Sequence, residues 1–430
     1  MKTKLPVNTF LFLMVMITGI LTSCQDRTYE EITYKANVPV VMGFDEFRSA
    51  VVKTSPLALT NPGKIYFKDN FIFINEFQHG IHVIDNTNPE APVNLNFIEI
   101  PGNIDMAVKG NVLFADSYID LVAIDISDPS NPTEIDRVEN AFPNVLPPMP
   151  DYTYPVYGLD FEKGVVVGWE TRDVTEVVEK ENGYGLGRVT YDNVGVPSIG
   201  QNEVSINPST TGIGGSMARF TLNNDYLYAL HNNTLKLFNL ANVPGITTGN
   251  EMYLDREVET LFPYQNKLFM GTTTGMLIYD VSSPAAPVFV SSFNHINSCD
   301  PVVIEGNYAY VTLRAGTACN GFSNQLDVVD ISSLTNPFLV KTYPMFNPHG
   351  LGIDNHILFI CDGDAGLKIY DATDPMTIHL HQIAHFADIK TYDVIPVNGL
   401  LMLIGAEGLY QYDYSDLDSL RLISQIPVGN

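Results

Sequence analysis

A segment of about 40 residues recurs along this chain, and such a period is the signature of a repeat architecture. Each copy contains an aliphatic strand that ends in Asp or Asn, followed by a small polar turn often closed by proline, as in Val83-Ile84-Asp85. The strand-ending residues are Asp85, Asp125, Asn239, Asp280, Asp330, Asp371 and Asp413. The long interval between Asp125 and Asn239 holds one enlarged copy, with Val156–Leu159 and Val165–Gly168 as its strands. We therefore count eight copies.

The start of each copy reads as a β-hairpin. A strand meets a tight polar turn such as Glu305-Gly306-Asn307 and returns as a second apolar strand such as Tyr308–Val311. Asn, Asp and Gly supply the positive φ angles that a two-residue hairpin needs. A fourth strand, such as Val93–Ile98, follows the proline turn. Four strands in about 40 residues make one blade of a propeller.

These patterns predict an all-β fold over residues 64–430, a β-propeller of four-stranded antiparallel blades. The count predicts eight blades, or seven if the enlarged third copy is not a blade. The recurrent Asp has a structural interpretation, because its carboxylate can accept backbone N–H groups of the following turn. A shared catalytic or metal-binding role is the alternative.

The Val-Ile-Asp strand with its Asp-Pro…Pro turn resembles the LVIVD repeat of predicted bacterial and archaeal propeller proteins. The segment Pro62-Gly63-Lys64-Ile65-Tyr66, together with the N-terminus, resembles the lipoprotein members of this family common in Bacteroidetes. The resemblance covers nearly all of residues 64–430. It implies the propeller fold and carries no function with it.

The N-terminus reads as a targeting signal. Lys2 and Lys4 precede an apolar run from Phe10 to Leu21, which is too short for a permanent membrane span. The run ends in Leu21-Thr22-Ser23-Cys24, which resembles a bacterial lipobox and implies lipidation at Cys24. We therefore predict a signal peptide over residues 1–23, a tether and packing segment over 24–63 with a short helix within 45–52, and a protein held at the outer membrane, on its periplasmic or surface-exposed side. The lipid anchor would be its only membrane element.

The charge of the chain limits its partners. The formal net charge is −26, and loss of the signal peptide would remove only two lysines and no acidic residue. So acidic a chain repels nucleic acid, and we expect a monomer without a nucleic-acid partner. No phosphate-binding loop, dinucleotide fingerprint, nucleophile elbow or His-Glu-x-x-His motif is present. We therefore expect no cofactor, and a non-enzymatic role is favoured over a catalytic one.

The strand order of a blade places the insertions on one face. The turns between strands one and two, and between three and four, share one face and are short. The turns between strands two and three and the blade connections share the other, called the loop-rich face below. The insertions there are 140–155, 169–188, 206–217, 294–301, 314–325 and 343–350. Because loops on a rigid scaffold carry function, we place the binding surface on this face.

Aromatic and scarce basic residues in these insertions make a candidate surface for a sugar or an acidic group. They are Tyr152, Tyr154, Trp169, Arg172, Tyr184, Arg188, His295, Arg314 and His349. Packing of the insertions onto the rim is the alternative for each of them. Cys299 and Cys319 fall on the same rim and are predicted to form a disulfide, whereas Cys361 is predicted to be a buried thiol.

Metal-binding signals are weak. Asp362 and Asp364 offer two carboxylates, fewer oxygens than calcium requires. His379 and His381 would share one side of a strand, but no third ligand is evident. The sequence thus favours a non-catalytic protein- or glycan-binding or scaffold module. The alternative is a propeller enzyme acting on carbohydrate with acidic side chains near the central channel.

Overall fold

The computed structural model describes residues 28–180, 213–294, 301–315 and 323–429. They form two compact units. The smaller contains residues 28–39, 149–159 and 169–180, and the larger contains residues 40–148, 160–168 and the described residues from 213 onward. No helix in the described ranges is long and apolar enough to cross a membrane.

A long two-stranded ribbon opens the described chain. Strand β1 (Thr28–Met42) pairs with β11 (Val165–Lys180). In the smaller unit, Tyr34, Ala36, Val38 and Val174 form an apolar cluster. The buried Asn37 side chain donates to the carbonyl of Asp151 at 2.7 Å, which attaches the loop at Asp151 to β1.

Two short elements precede the first blade. Helix α1 (Phe44–Arg48) begins after Gly43 and buries Phe47 against Tyr118. Strand β2 (Val52–Thr54) pairs with Phe97–Glu99 on the outer edge of that blade. The helix overlaps the predicted helical segment 45–52 at residues 45–48.

Seven four-stranded antiparallel blades are present in the described part of the larger unit. Blade 1 contains β3 (Pro62–Lys68), β4 (Phe71–Glu76), β5 (Gly80–Asp85) and β6 (Val93–Glu99). Blade 2 contains β7 (Met106–Lys109), β8 (Val112–Ser117), β9 (Asp120–Asp125) and β10 (Thr133–Val138). After β11 and β12 (Ile213–Gly214), blade 3 contains β13 (Phe220–Asn223), β14 (Tyr226–His231), β15 (Thr234–Asn239) and β16 (Thr247–Tyr253).

The last four blades follow one another along the chain. Blade 4 contains β17 (Val258–Tyr264), β18 (Lys267–Thr272), β19 (Gly275–Asp280) and β20 (Val288–Asn294). Blade 5 contains β21 (Val302–Glu305), β22 (Tyr308–Leu313), β23 (Gln325–Asp330) and β24 (Phe338–Pro344). Blade 6 contains β25 (Leu351–Asp354), β26 (Ile357–Cys361), β27 (Leu367–Asp371) and β28 (Gln382–Phe386). Blade 7 contains β29 (Thr391–Val397), β30 (Leu400–Gly405), β31 (Gly408–Asp413) and β32 (Arg421–Pro427).

The blades close into a ring. The first strand of each blade contacts the first strand of the next, and β29 contacts β3. Leu59 bridges Val428 in parallel, and Asn86 exchanges two amide hydrogen bonds of 2.8 Å with Gln411 of blade 7. The predicted propeller is confirmed, with the alternative number of seven blades.

The enlarged third copy is therefore not a blade. Its strand from Val165 continues to Lys180 and pairs with β1 instead of turning back into a hairpin. An aliphatic run has the same pattern whether its partner is close or distant in sequence, so the count included it. The same strand replaces the first part of the loop predicted over 169–188.

The recurrent Asp shapes a turn, as predicted. Its Oδ1 accepts the backbone N–H two residues later in all seven blades, at 2.8–3.0 Å. Asn239 makes this bond in blade 3, so the turn needs an oxygen acceptor and not a charge. A bulge also recurs between the third and fourth strands of every blade, and bulges increase the local twist.

Candidate functional site: the loop-rich face of the propeller

A segment of the long insertion lies in the channel, against the innermost strand of blade 1. Strand β12 pairs with the innermost strand of blade 1, Ile213 opposite Phe67 and Gly214 opposite Tyr66. The Gly215 N–H continues this pairing with a 3.1 Å bond to the carbonyl of Ile65. Because β3 has only the channel on its free side, residues 213–217 lie inside the ring. They are called the central segment below.

Ser216 attaches the central segment to blades 6 and 7. Its N–H and its hydroxyl donate to Asp393 Oδ1 at 2.9 and 3.1 Å, and its oxygen accepts the N–H of Leu351 at 2.6 Å. All three residues are fully buried. Two glycines permit this approach, since a Cβ on Gly215 or Gly350 would lie within 2.0 Å of an Asp393 carboxylate oxygen.

A buried ion pair lies beside the central segment. Lys64 Nζ is 2.8 Å from Asp105 Oδ2 and 3.3 Å from the carbonyl of Met217. Asp105 Oδ2 also accepts the N–H groups of Arg219 and Phe220. Burial lowers the pKa of Lys64, against the opposing effect of the Asp105 charge. These groups satisfy one another.

Asp116 is the acidic residue next to this pair. Removal from water raises its pKa to about 6, although the N–H groups of Asp105 and Ile104 bond its Oδ1 and act in the opposite direction. The adjoining cavity, lined also by Arg219 and His231, has a volume of about 40 Å³. It has room for a few water molecules and for no larger ligand.

Two of the predicted binding residues meet in the larger unit. Arg314 Nη1 lies 2.6 Å from Nδ1 and 3.1 Å from Nε2 of the His349 ring, and only the nitrogen without a proton can accept from it. His349 is buried, and its carbonyl accepts the hydroxyl of Thr312 at 2.7 Å. This pair joins the blade 5 loop to the connection into blade 6.

The other described candidates belong to the smaller unit. Tyr152 is 61% exposed and Arg172 is exposed, whereas Tyr154 and Trp169 are half-buried. The structure thus divides the predicted surface between two units. Tyr184, Arg188, His295, Cys24 and the Cys299–Cys319 pair lie outside the described residues. Cys361 is fully buried, as predicted.

The two carboxylates considered for calcium are each paired with a lysine. Asp362 is 2.5 Å from Lys368 Nζ and accepts the N–H groups of Phe346 and Asn347, while Asp364 is 2.9 Å from Lys390 Nζ. The described residues contain no cluster of three or more metal-ligating side chains. His379 lies in a 3₁₀ turn (Ile378–Leu380) and not on the predicted strand.

Two large cavities were not predicted from the sequence. One, of about 830 Å³, is the channel end on the short-turn face, lined by residues of blades 3 to 7 and by Ile213. The other, of about 720 Å³, lies on the loop-rich side of blade 1 and is called the rim pocket below. Its lining includes Thr60, Glu76, Gln78, His82, Phe97 and Tyr118.

A carboxylate–imidazole pair forms the polar end of the rim pocket. Glu76 Oε2 is 3.0 Å from His82 Nε2, and the Glu76 carboxylate also accepts the hydroxyl and N–H of Thr60 and the N–H of Asn61. Burial acts to raise the pKa of Glu76, but the bonds from His82, Thr60 and Asn61 prevail and lower it to about 2. The carboxylate is therefore ionised at neutral pH, and His82 carries a proton on Nε2.

Comparison with known proteins agrees with the architecture. The sequence model of the LVIVD repeat matches residues 104–140, 268–295 and 298–344. No curated protein is a significant match. A periplasmic gluconolactonase of Pseudomonas aeruginosa is similar in structure, with a TM-score of 0.52 at 10% identity over 86% of this chain and 96% of that chain. A Lactobacillus plantarum protein has a TM-score of 0.52 at 12% identity over 86% and 98%.

Identities this low show likeness of fold alone. The three matched segments fall on blades 2, 4 and 5 and on the connection into blade 5. The chain is thus a seven-bladed β-propeller that carries LVIVD repeats.

Proposed function

We propose that this protein is an exported, lipid-anchored propeller at the outer membrane, and that it acts as a non-catalytic binding or scaffold module for a protein or glycan through its loop-rich face. The supporting observation is the central segment. It lies inside the ring, where a propeller could hold a substrate, and its Ser216 is bonded to the buried Asp393 and Leu351. A ligand on this face would therefore meet the rim and its loops.

The lipid anchor rests on Cys24 and the apolar run before it. Cells fed an alkyne-labelled fatty acid should label the wild-type chain and leave a Cys24→Ser variant unlabelled. The variant should also move from the membrane fraction to the soluble fraction. Equal labelling of both chains would contradict the anchor.

The choice of face can be tested with a photo-crosslinking amino acid. It would be placed in the cell at His79, an exposed turn position on the loop-rich face, or at Asn224, an exposed turn position on the short-turn face. The proposal expects adducts from His79 and none from Asn224. Adducts from Asn224 alone would overturn the choice of face, and turnover of a sugar by the purified chain would overturn the non-catalytic role.

A further inference from the structure

Two polar atoms at the rim pocket have no partner within the described residues. They are Nδ1 of His82, whose side chain is fully buried, and Nε2 of Gln78. A buried polar group without a partner destabilises the folded protein. Two such atoms belong to residues that line one cavity, and a ligand in that cavity would supply their missing hydrogen-bond partners.

The chemistry of the two atoms defines the missing group. Because the ionised Glu76 can only accept, His82 donates from Nε2, and Nδ1 is the ring nitrogen left without a partner. Gln78 Nε2 is a donor. A ligand hydroxyl can accept from Gln78 Nε2, and because hydroxyl groups both donate and accept, a second hydroxyl can pair with His82 Nδ1.

The rest of the lining suits a neutral polyol. Glu76 and Glu99 make this pocket negative, so it disfavours phosphates and carboxylates. Leu57, which is 47% exposed, supplies apolar surface for a sugar ring, and the buried Phe97 ring packs on His82 with centroids 4.7 Å apart. The volume of about 720 Å³ falls within the range of small-molecule sites.

We propose that the rim pocket binds a neutral carbohydrate, with one sugar hydroxyl bonded to His82 Nδ1 and Gln78 Nε2 donating a hydrogen bond to another. A peptide fits less well. Peptides commonly bind by adding a strand to an open sheet edge, and the outer edge of blade 1 at Phe97–Glu99 is already paired with β2. This inference rests on the proposed function, because it names the ligand class for the loop-rich face.

The test compares the full chain, purified in a mild detergent, with three variants. Gln78→Ala removes the donor, and His82→Phe replaces the imidazole with a ring that forms no hydrogen bond. Gln265→Ala is the matched control, since Gln265 has the same left-handed backbone (φ 54°, against 62° for Gln78) in a tight turn on the opposite face. The probes are a glycan array, then glucose, galactose, mannose and N-acetylglucosamine titrated by calorimetry and saturation-transfer NMR.

The wild-type chain should bind at least one neutral glycan. Affinity should fall about five- to tenfold in Gln78→Ala and about tenfold or more in His82→Phe, and should stay within about twofold in Gln265→Ala. Loss of binding in His82→Phe alone would also be observed if this variant failed to fold. Gln78 is only partly buried, so Gln78→Ala should fold, and its loss of binding reports on the pocket itself.

Each failure has its own meaning. Glycan binding that neither variant weakens would overturn the rim pocket and leave the proposed function standing. Protein adducts at His79 without glycan binding would overturn the sugar and leave a protein-binding role. The absence of both glycan binding and protein adducts would overturn both proposals.

Discussion

The Asp393 carboxylate accepts both the N–H and the hydroxyl of Ser216, at 2.9 and 3.1 Å. This joins residues from an insertion after blade 2 to the innermost strand of blade 7. The bond therefore couples two distant parts of the chain at the propeller axis. Two predictions concern this attachment.

Ser216→Ala should destabilise the protein by about 1–3 kcal/mol, because the buried N–H of Leu351 loses its acceptor. Urea unfolding followed by fluorescence measures the change. Ser127→Ala is the control, since Ser127 is exposed, and it should stay within about 0.5 kcal/mol of wild type. Equal effects of the two substitutions would show that Ser216 does not hold the central segment.

Gly350→Ala should also destabilise the protein, by about 1–3 kcal/mol. Its Cβ would lie 2.0 Å from Asp393 Oδ1 and 2.8 Å from Ser216 Oγ, so the carboxylate must move. Gly168→Ala is the matched substitution, because its nearest neighbour is 3.8 Å away. Thermal unfolding of both variants checks this prediction, and a Gly350→Ala melting temperature as high as that of Gly168→Ala would contradict it.

The turn at Asp280 is expected to lose stability in acid, because the pKa of Asp280 is lowered in the folded protein. Hydrogen bonds from the Ser282 hydroxyl and N–H, and then from Lys267, lower the pKa of Asp280 to about 2 from its ordinary 3.8. The ionised form therefore contributes stability that is full above about pH 4 and is lost as the pH falls to about 2. Asp280→Asn keeps the acceptor and removes the titration, as Asn239 does naturally.

Urea midpoints at pH 5 and pH 2.5 test this. The drop between them should be smaller in Asp280→Asn than in wild type, and larger in the reciprocal variant Asn239→Asp. If all three proteins lose the same stability, the turn carboxylate does not contribute.

The third-strand turns were predictable from sequence because their physics is local. Asp85 and Asp125 bond N–H groups only two residues away, and the proline turns follow directly. The partner of a strand is decided by distant residues. The sequence therefore did not distinguish Val165–Gly168, which pairs with β1, from a blade strand.

The candidate site was less predictable for a related reason. The position of His82 in its repeat holds Lys236 in blade 3, Asp327 in blade 5 and Lys368 in blade 6. A polar residue there is ordinary, so His82 carried no signal by itself. Its role depends on Glu76 and Gln78, which only the folded turn brings to the same pocket. Likewise, Ser216 and Asp393 are 177 residues apart.

The Lys64–Asp105 pair yields the last prediction. Both side chains are only 3% exposed. Lys64→Met would leave a buried carboxylate without a counter-ion, at a cost of about 3–5 kcal/mol. Adding Asp105→Asn removes that charge, so the double variant should lose less stability than the sum of the single variants, by about 1 kcal/mol or more.

A double-mutant cycle from urea unfolding measures this coupling. Lys163→Met is the surface control, because Lys163 is 69% exposed beside Asp160. Its loss should stay below about 1 kcal/mol, since solvent weakens exposed pairs. Additive losses at Lys64 and Asp105 would mean that the backbone N–H groups of Arg219 and Phe220 stabilise the carboxylate without help from the lysine. In that case the chain next to the central segment, and not the Lys64 side chain, would hold Asp105 in its ionised form.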